Sequence, residues 1–249
     1  MIVPADVVPS LVGVVALTAV ATVVLVLFRV PASWSPALAI ARGTVQLAVI
    51  SVILTGIIES PSLIAVALCV MFAVAVGVAA GRIGMSGRSL AITATSISAG
   101  VVVACAVVFA TGALALTSRY ALAIGAIVIG NSMSIATLTG RNLTRAVIDH
   151  WDEVEGWLAL GARPRVSTLA LARRSVRDAL IPSIDQTKTT GLVVLPGAFV
   201  GAIFGGISPF EAGRFQIVVL AAIMAAGSVT AVLVATWMGG IRVRPHPLR

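Results

Sequence analysis

The sequence predicts an all-α, polytopic membrane protein with about seven transmembrane helices, and three observations predict it. Apolar residues make up 59% of the 249-residue chain and charged residues only 10%, and the mean hydropathy of +1.11 lies far above that of soluble domains. The apolar residues gather in runs of roughly 18 to 23, each enough to cross about 30 Å of hydrocarbon as a helix. The runs lie near 7–28, 38–58, 62–81, 91–112, 119–140, 189–207 and 215–239. With the N-terminus outside, 15 of the 17 Lys and Arg residues fall in inward segments, and only Arg119 and Arg214 face out. This positive-inside pattern places the N-terminus outside and the C-terminus in the cytoplasm. It also excludes nucleic acid as the reason for the net charge of +8, because the cations are spread over every second loop.

The lead-in MIVPAD has no basic n-region and no cleavage signal follows, so the first run is expected to remain as a span. It is small-residue rich and suits a peripheral helix. The second run carries Gln46 about one turn inside its cytoplasmic end; a polar amide at that depth faces protein or water, lining a path or fixing a neighbouring helix. Glu59, with Ser60-Pro61-Ser62, reads as a solvated turn carboxylate. Gly77 and Gly81 in the third run form a small-residue face for close helix approach. Thr93, Ser96 and Gly100 share a face of the fourth run, where hydroxyls usually bond their own backbone. Cys69 and Cys105 sit in apolar runs and read as small buried hydrophobes rather than a disulfide.

The fifth run contains Gly130-Asn131-Ser132-Met133-Ser134, polar groups at membrane depth that are tolerated only in protein or beside a cavity. With Gln46 and Pro196 they are the candidate translocation path. Pro196 is expected to kink the sixth run, and Gly197, Gly201 and Gly205 form a stripe for packing within the subunit or between subunits. Ser208-Pro209-Phe210-Glu211 closes the outer end before the last run.

Between the fifth and sixth runs lies a polar island, residues 141–188. Val147, Trp151, Val154 and Leu158 form one amphipathic stripe, and Gly161 with Pro164 is a helix stop. A second stretch, 165–180, places Val166, Leu169, Val176 and Leu180 on one side and Arg173, Arg174 and Arg177 on another. Arg174 can pair with Asp178, and Asp185 with Lys188. The two helices are expected to form a lever at the membrane surface. The chain is not expected to be an enzyme: Lys188 is its one lysine and Thr187 precedes it where a P-loop needs Gly, His150 and His246 have no cysteine partners, and no hydrolase motif occurs.

EGWLALG, Glu155–Gly161, followed by Ala-Arg-Pro, resembles the E-A-A-x-x-x-G loop of ABC-importer permeases, keeping Glu155 and Gly161 and lacking both alanines. Three longer blocks, 42–54, 129–143 and 177–217, look like the FetB (YbbM) family of ABC permeases, which includes the plant aluminium-sensitivity permeases. The resemblance implies one membrane domain over 1–249, with 141–188 as its cytoplasmic coupling region. It implies a homodimer of this chain bound to two copies of an ABC ATP-binding subunit in a bacterial plasma membrane. ATP and Mg would sit on that partner, and this chain would bind no cofactor. Glu155, Trp157, Gly161, Arg163 and Pro164 are then the coupling residues, and Asp185 and Lys188 hold the lever to the sixth span. Export of iron or a related metal or metabolite is the implied activity. Met133, Met224 and a few carboxylates make no persuasive ligand set, so a metal site stays unassigned. The alternatives are an ATP-independent channel or carrier, a nucleotide-sugar transporter subunit, or a membrane anchor.

Overall fold

The computed structural model describes residues 7–57 and 60–245. Glu59 and His246 lie outside them. The chain divides into two compact units, Met1–Glu59 and Ser60–Arg249. Ten helices and no strand occur among the described residues, as expected for a chain whose peptide groups must be satisfied in lipid.

The first unit is a hairpin of α1 (Val7–Leu27) and α2 (Ser35–Ile57). Its turn holds Arg29 and Ala32 at φ of 56° and 57°. Thr18, Thr22, Thr44 and Ser51 all return their hydroxyls to a carbonyl one turn back, leaving an apolar exterior.

The second unit comprises α3 (Pro61–Gly84), α4 (Gly87–Ala110), α5 (Ser118–Asp149), α6 (Trp151–Ala159), α7 (Pro164–Ser167), α8 (Leu169–Thr189), α9 (Gly197–Phe204) and α10 (Pro209–Met238). Pro61 and Pro209 open their helices at the first turn, where no backbone donor is needed. Ser86 and Ser89 form a reciprocal capping box at the start of α4, with bonds of 3.0 and 2.9 Å. The core is made where α10 packs on α4 and α5 and where α3 packs on α5. Ile97, Ile124, Val128 and Val234 are fully buried there. Thr93 and Ser96 are buried in the same interior, and Thr230 donates to the Ser96 carbonyl at 3.2 Å. Ser96 therefore serves α4–α10 packing, while Thr93 turns to its own helix and to the Val76 carbonyl of α3.

The glycines that permit close approach are not the conspicuous ones. A Cβ on Gly100 would strike Thr230 and the Ala226 backbone, and one on Gly227 would strike Ile135. Gly77, in the expected small-residue face of α3, has no neighbour within 4 Å. Cys69 is exposed on α3, while Cys105 packs against the α4–α10 core.

Six helices among the described residues are long and apolar enough to cross a membrane: α1 to α5 and α10. The run at 189–207 is not a helix of that kind. Residues 190–196 form a tight turn with Gly191 at φ +88°, and α9 has only eight residues, about 12 Å of helix. Pro196 is the N-cap of α9 and kinks nothing; Pro182, inside α8, is the internal proline. Gly197 and Gly201 are exposed with no neighbour within 4 Å, and Gly205 meets only its own helix's carbonyls, so this stripe does not pack within the subunit.

The island also differs from expectation. Val147 and Val154 are buried as the stripe requires, but the helix breaks at His150, so they belong to α5 and α6. In α8 the buried face is Leu171, Ala172, Ser175 and Ala179, whereas Leu169 is exposed, and Val166, which falls in α7, is exposed too. Small residues let α8 lie close against α5 and α10, and that contact sets the helix phase. The second helix is therefore no surface lever: Thr168 donates to the Gly239 carbonyl at 2.5 Å, and a methyl on Gly227 would sit 3.5 Å from Leu180 Cδ2. Helix α8 runs antiparallel alongside α10, starting at its C-terminal end. Thr168→Val should remove this tie at a cost of about 1 kcal/mol, read as a lowered unfolding temperature in detergent; an unchanged temperature would show the bond contributes nothing.

Candidate functional site

Beyond the ends of α5 and α8 only 150–168 remains of the island, and it is built as a presented knob. Val154 is 1% exposed and packs with Leu143, Val147 and Leu171, which anchors α6 to the bundle. Trp157 beside it is 50% and Leu160, the C-cap, 82% exposed, and Glu155 is exposed as well. Gly161 ends α6 with φ +86°. Its N–H bonds the Leu158 carbonyl at 3.0 Å, and the Ala162 N–H bonds that of Trp157 at 3.0 Å, a Schellman closure that favours glycine. Arg163 is extended and exposed, and Pro164 opens α7. The five predicted coupling residues thus stand together on one short segment joined to α5 at one end and to α8 at the other.

The predicted path residues divide. Helix α5 is unbroken through Gly130-Asn131, and the Asn131 amide donates to the Ile127 carbonyl at 2.8 Å. Ser134 is exposed, Ser132 is fully buried with no hydrogen-bond partner for its hydroxyl, and Met133 packs against the cluster holding Val76, Ala79 and Ile97. Gln46 lies exposed on α2 in the first unit, and Pro196 stands apart at the start of α9.

Sequence reading separated the charged outer face of α8 but did not place that helix beside α5 and α10. Arg173, Arg174, Arg177, Asp178, Asp185 and Lys188 are all exposed along it. Arg174 and Asp178 are 3.9 Å apart and Lys188 and Asp185 3.6 Å, the two expected pairs. A cavity of about 210 Å³ at the α5–α8 seam joins Asn142, Arg145 and Asp149 to Arg174, Ser175 and Asp178. Charges beside a spanning helix cannot face lipid freely, since one Arg, Lys or Asp at a span's centre costs about 2.5–3.5 kcal/mol on insertion scales. The signal was available: small residues recur at 172, 175 and 179 opposite charges at 173, 177 and 185. Summed hydropathy hides that division. Among the described residues no group of three or more His, Cys, Asp or Glu stands together as a metal cage.

The profile of UPF0014, described as an uncharacterised protein family, matches residues 8–240. The chain is 40% identical over 197 residues to the UPF0014 membrane protein STAR2 of Oryza sativa subsp. japonica, covering 78% of this chain and 69% of that one. It is 34% identical over 195 residues to the protein ALUMINUM SENSITIVE 3 of Arabidopsis thaliana, covering 78% and 71%. It is also 34% identical over 138 residues to the probable iron export permease protein FetB of Escherichia coli, covering 55% and 53%. No solved structure matches the chain.

Proposed function

Because this chain belongs to the UPF0014 family of membrane proteins, we propose that it is the membrane-spanning permease subunit of an ATP-driven ABC transporter, worked by a separate ATP-binding subunit. The observation that carries this reading is the exposed Trp157 and Leu160 on α6. Two large apolar side chains held outward by a buried anchor suit insertion into a partner's groove. The resemblance of Glu155–Gly161 to the coupling loop of ABC permeases supports the same partner.

In this reading two copies of the chain bind two ATPases in a bacterial plasma membrane, with the C-terminus and residues 150–168 in the cytoplasm. ATP and Mg bind the partner. Closure of the ATPases displaces α6, and because α6 follows α5 across the single break residue His150 and reaches α8 through α7, the displacement passes into the bundle. Asn131, Ser134 and the α8 face then shift around the path in alternating access. Iron, for which the E. coli relative is named, or a related metal or metabolite is the cargo, and export its direction.

The test is co-purification with a lone P-loop ATPase, then ATP hydrolysis in liposomes. Trp157→Ala should weaken ATPase capture at least tenfold while the permease stays monodisperse. Capture unaffected by Trp157→Ala and Leu160→Ala together would remove α6 as the docking helix, and cargo flux at full rate without the ATPase would make the protein a channel or carrier.

A further inference from the structure

We propose that α8 is itself a membrane crossing, and that its charged face lines a water-filled path favouring anionic solutes, metal complexes of negative net charge included. The proposal rests on the transport reading. Its first support is depth. Helix α8 begins beside Gly239, at the end of α10, and Leu180 lies beside Gly227, roughly 18 Å farther along α10 at 1.5 Å per residue. Gly227 is in the middle of the apolar stretch 215–239. The 21 residues of α8 are about 31 Å long, a full hydrocarbon thickness, so its far end at Lys188 reaches the opposite side.

The second support is what that depth exposes. The outer surfaces of α3 and α4 are apolar, with Val66, Val70, Val102 and Val107 outward, as lipid requires. The outer surface of α8 instead carries six charges. Pro182 adds a further polar group, because it has no N–H to return to the Asp178 carbonyl. Charged side chains and an unanswered carbonyl at this depth are stable only against water or other polar groups. The seam cavity continues the strip onto Asn142, Arg145 and Asp149 of α5, where one cation and one carboxylate add no net charge.

The third support is sign. Of the six charges four are basic, and the two acidic ones are taken up by Arg174 and Lys188. Arg173 and Arg177 are left in excess, and a narrow path with low-dielectric walls focuses that excess onto passing ions.

Single cysteines introduced into a Cys69→Ala, Cys105→Ala background, in membrane vesicles of both orientations, test all three. The probes are two thiosulfonate reagents of similar size, one carrying a sulfonate and one a quaternary ammonium. Lys188→Cys should react from the side opposite the C-terminal tail, Arg173→Cys from the tail's side, and Ala179→Cys from neither. Ile181→Cys and Asp185→Cys should react roughly fivefold faster with the anionic reagent, after normalisation to a free thiol, and Arg173→Gln with Arg177→Gln should abolish the preference. Two positions guard against one variant failing to insert. Labelling of positions 173 and 188 from the same side only would show that α8 does not cross. Unreactive thiols at both 181 and 185 would show the face covered by lipid or protein, and equal rates would remove the anion preference. None of these readouts uses ATP, a partner or cargo, so the proposal can fail while the transport reading stands, and the reverse.

Discussion

Gly100→Val should all but abolish folded protein, with extraction yield down at least tenfold and any recovered material melting far below the parent. A Cβ at this position would overlap Thr230 Oγ1 and the backbone carbonyl of Ala226. A side-chain tip can swing away, but a backbone carbonyl in the middle of α10 cannot. The two helices must therefore part, and the hydrogen bond from Thr230 to Ser96 breaks with them. Overpacking of ordinary cores costs about 1–3 kcal/mol, and a clash with backbone at a helix crossing belongs at or above the top of that range. Gly77→Ala is the matched control. It removes half of a conspicuous Gly-x-x-x-Gly pair yet meets nothing within 4 Å, so stability should hold or rise by a few tenths of a kcal/mol. Equal damage from both substitutions, measured by thermal unfolding in detergent, would mean that α4 and α10 do not cross at Gly100.

Gly161→Val is the second large effect, and it should separate coupling from folding. No atom lies within 4 Å of a Cβ at this position, so sterics with neighbours contribute nothing. The penalty is conformational: φ is +86°, which costs an L-residue roughly 1–2 kcal/mol and a β-branched one more. That strain is relieved by opening the Schellman closure, which re-aims Leu160 and Arg163 while Val154 stays anchored. On the proposed ATP-driven reading, transport should fall at least tenfold, with the melting temperature of the protein nearly unchanged. Gly161→Asn should recover most of the activity, because Asn tolerates the left-handed region. Full transport by the valine variant would remove the turn from the coupling route.

How the site was legible varies by residue. Gly161 announced itself because glycine before Pro164 at the end of an amphipathic stripe has one common use, and the positive φ agrees. Trp157 was found through its motif, while its exposure came from the fold. The Arg174–Asp178 and Asp185–Lys188 pairs followed from helical spacing alone. Spacing could not say that the helix bearing them runs beside α10. The glycine stripes misled for a related reason. Small residues at intervals of four permit close packing but do not require it, and whether a partner arrives is decided by the other helix. Gly197 and Gly201 wait without one in this subunit, while Gly100, which shares its face with Thr93 and Ser96 and with no second glycine, and Gly227 carry tight crossings.

By itself the sequence determined that this protein is helical and embedded in a membrane, because long apolar runs in lipid must satisfy every peptide group within their own segment. It placed α3 and α4 to within four residues at each end and the position of the break after Leu160, but it stopped α5 at 140 and α8 at 180, where the helices run on to Asp149 and Thr189. Only the tertiary structure decided that 189–207 is a turn and a short helix rather than a span, and that the charged segment before it stands against α5 and α10. The reason is that hydropathy sums over all sides of a helix, whereas packing acts on one. The small-residue face of α8 is enough to bind it to its neighbours whatever the opposite face carries.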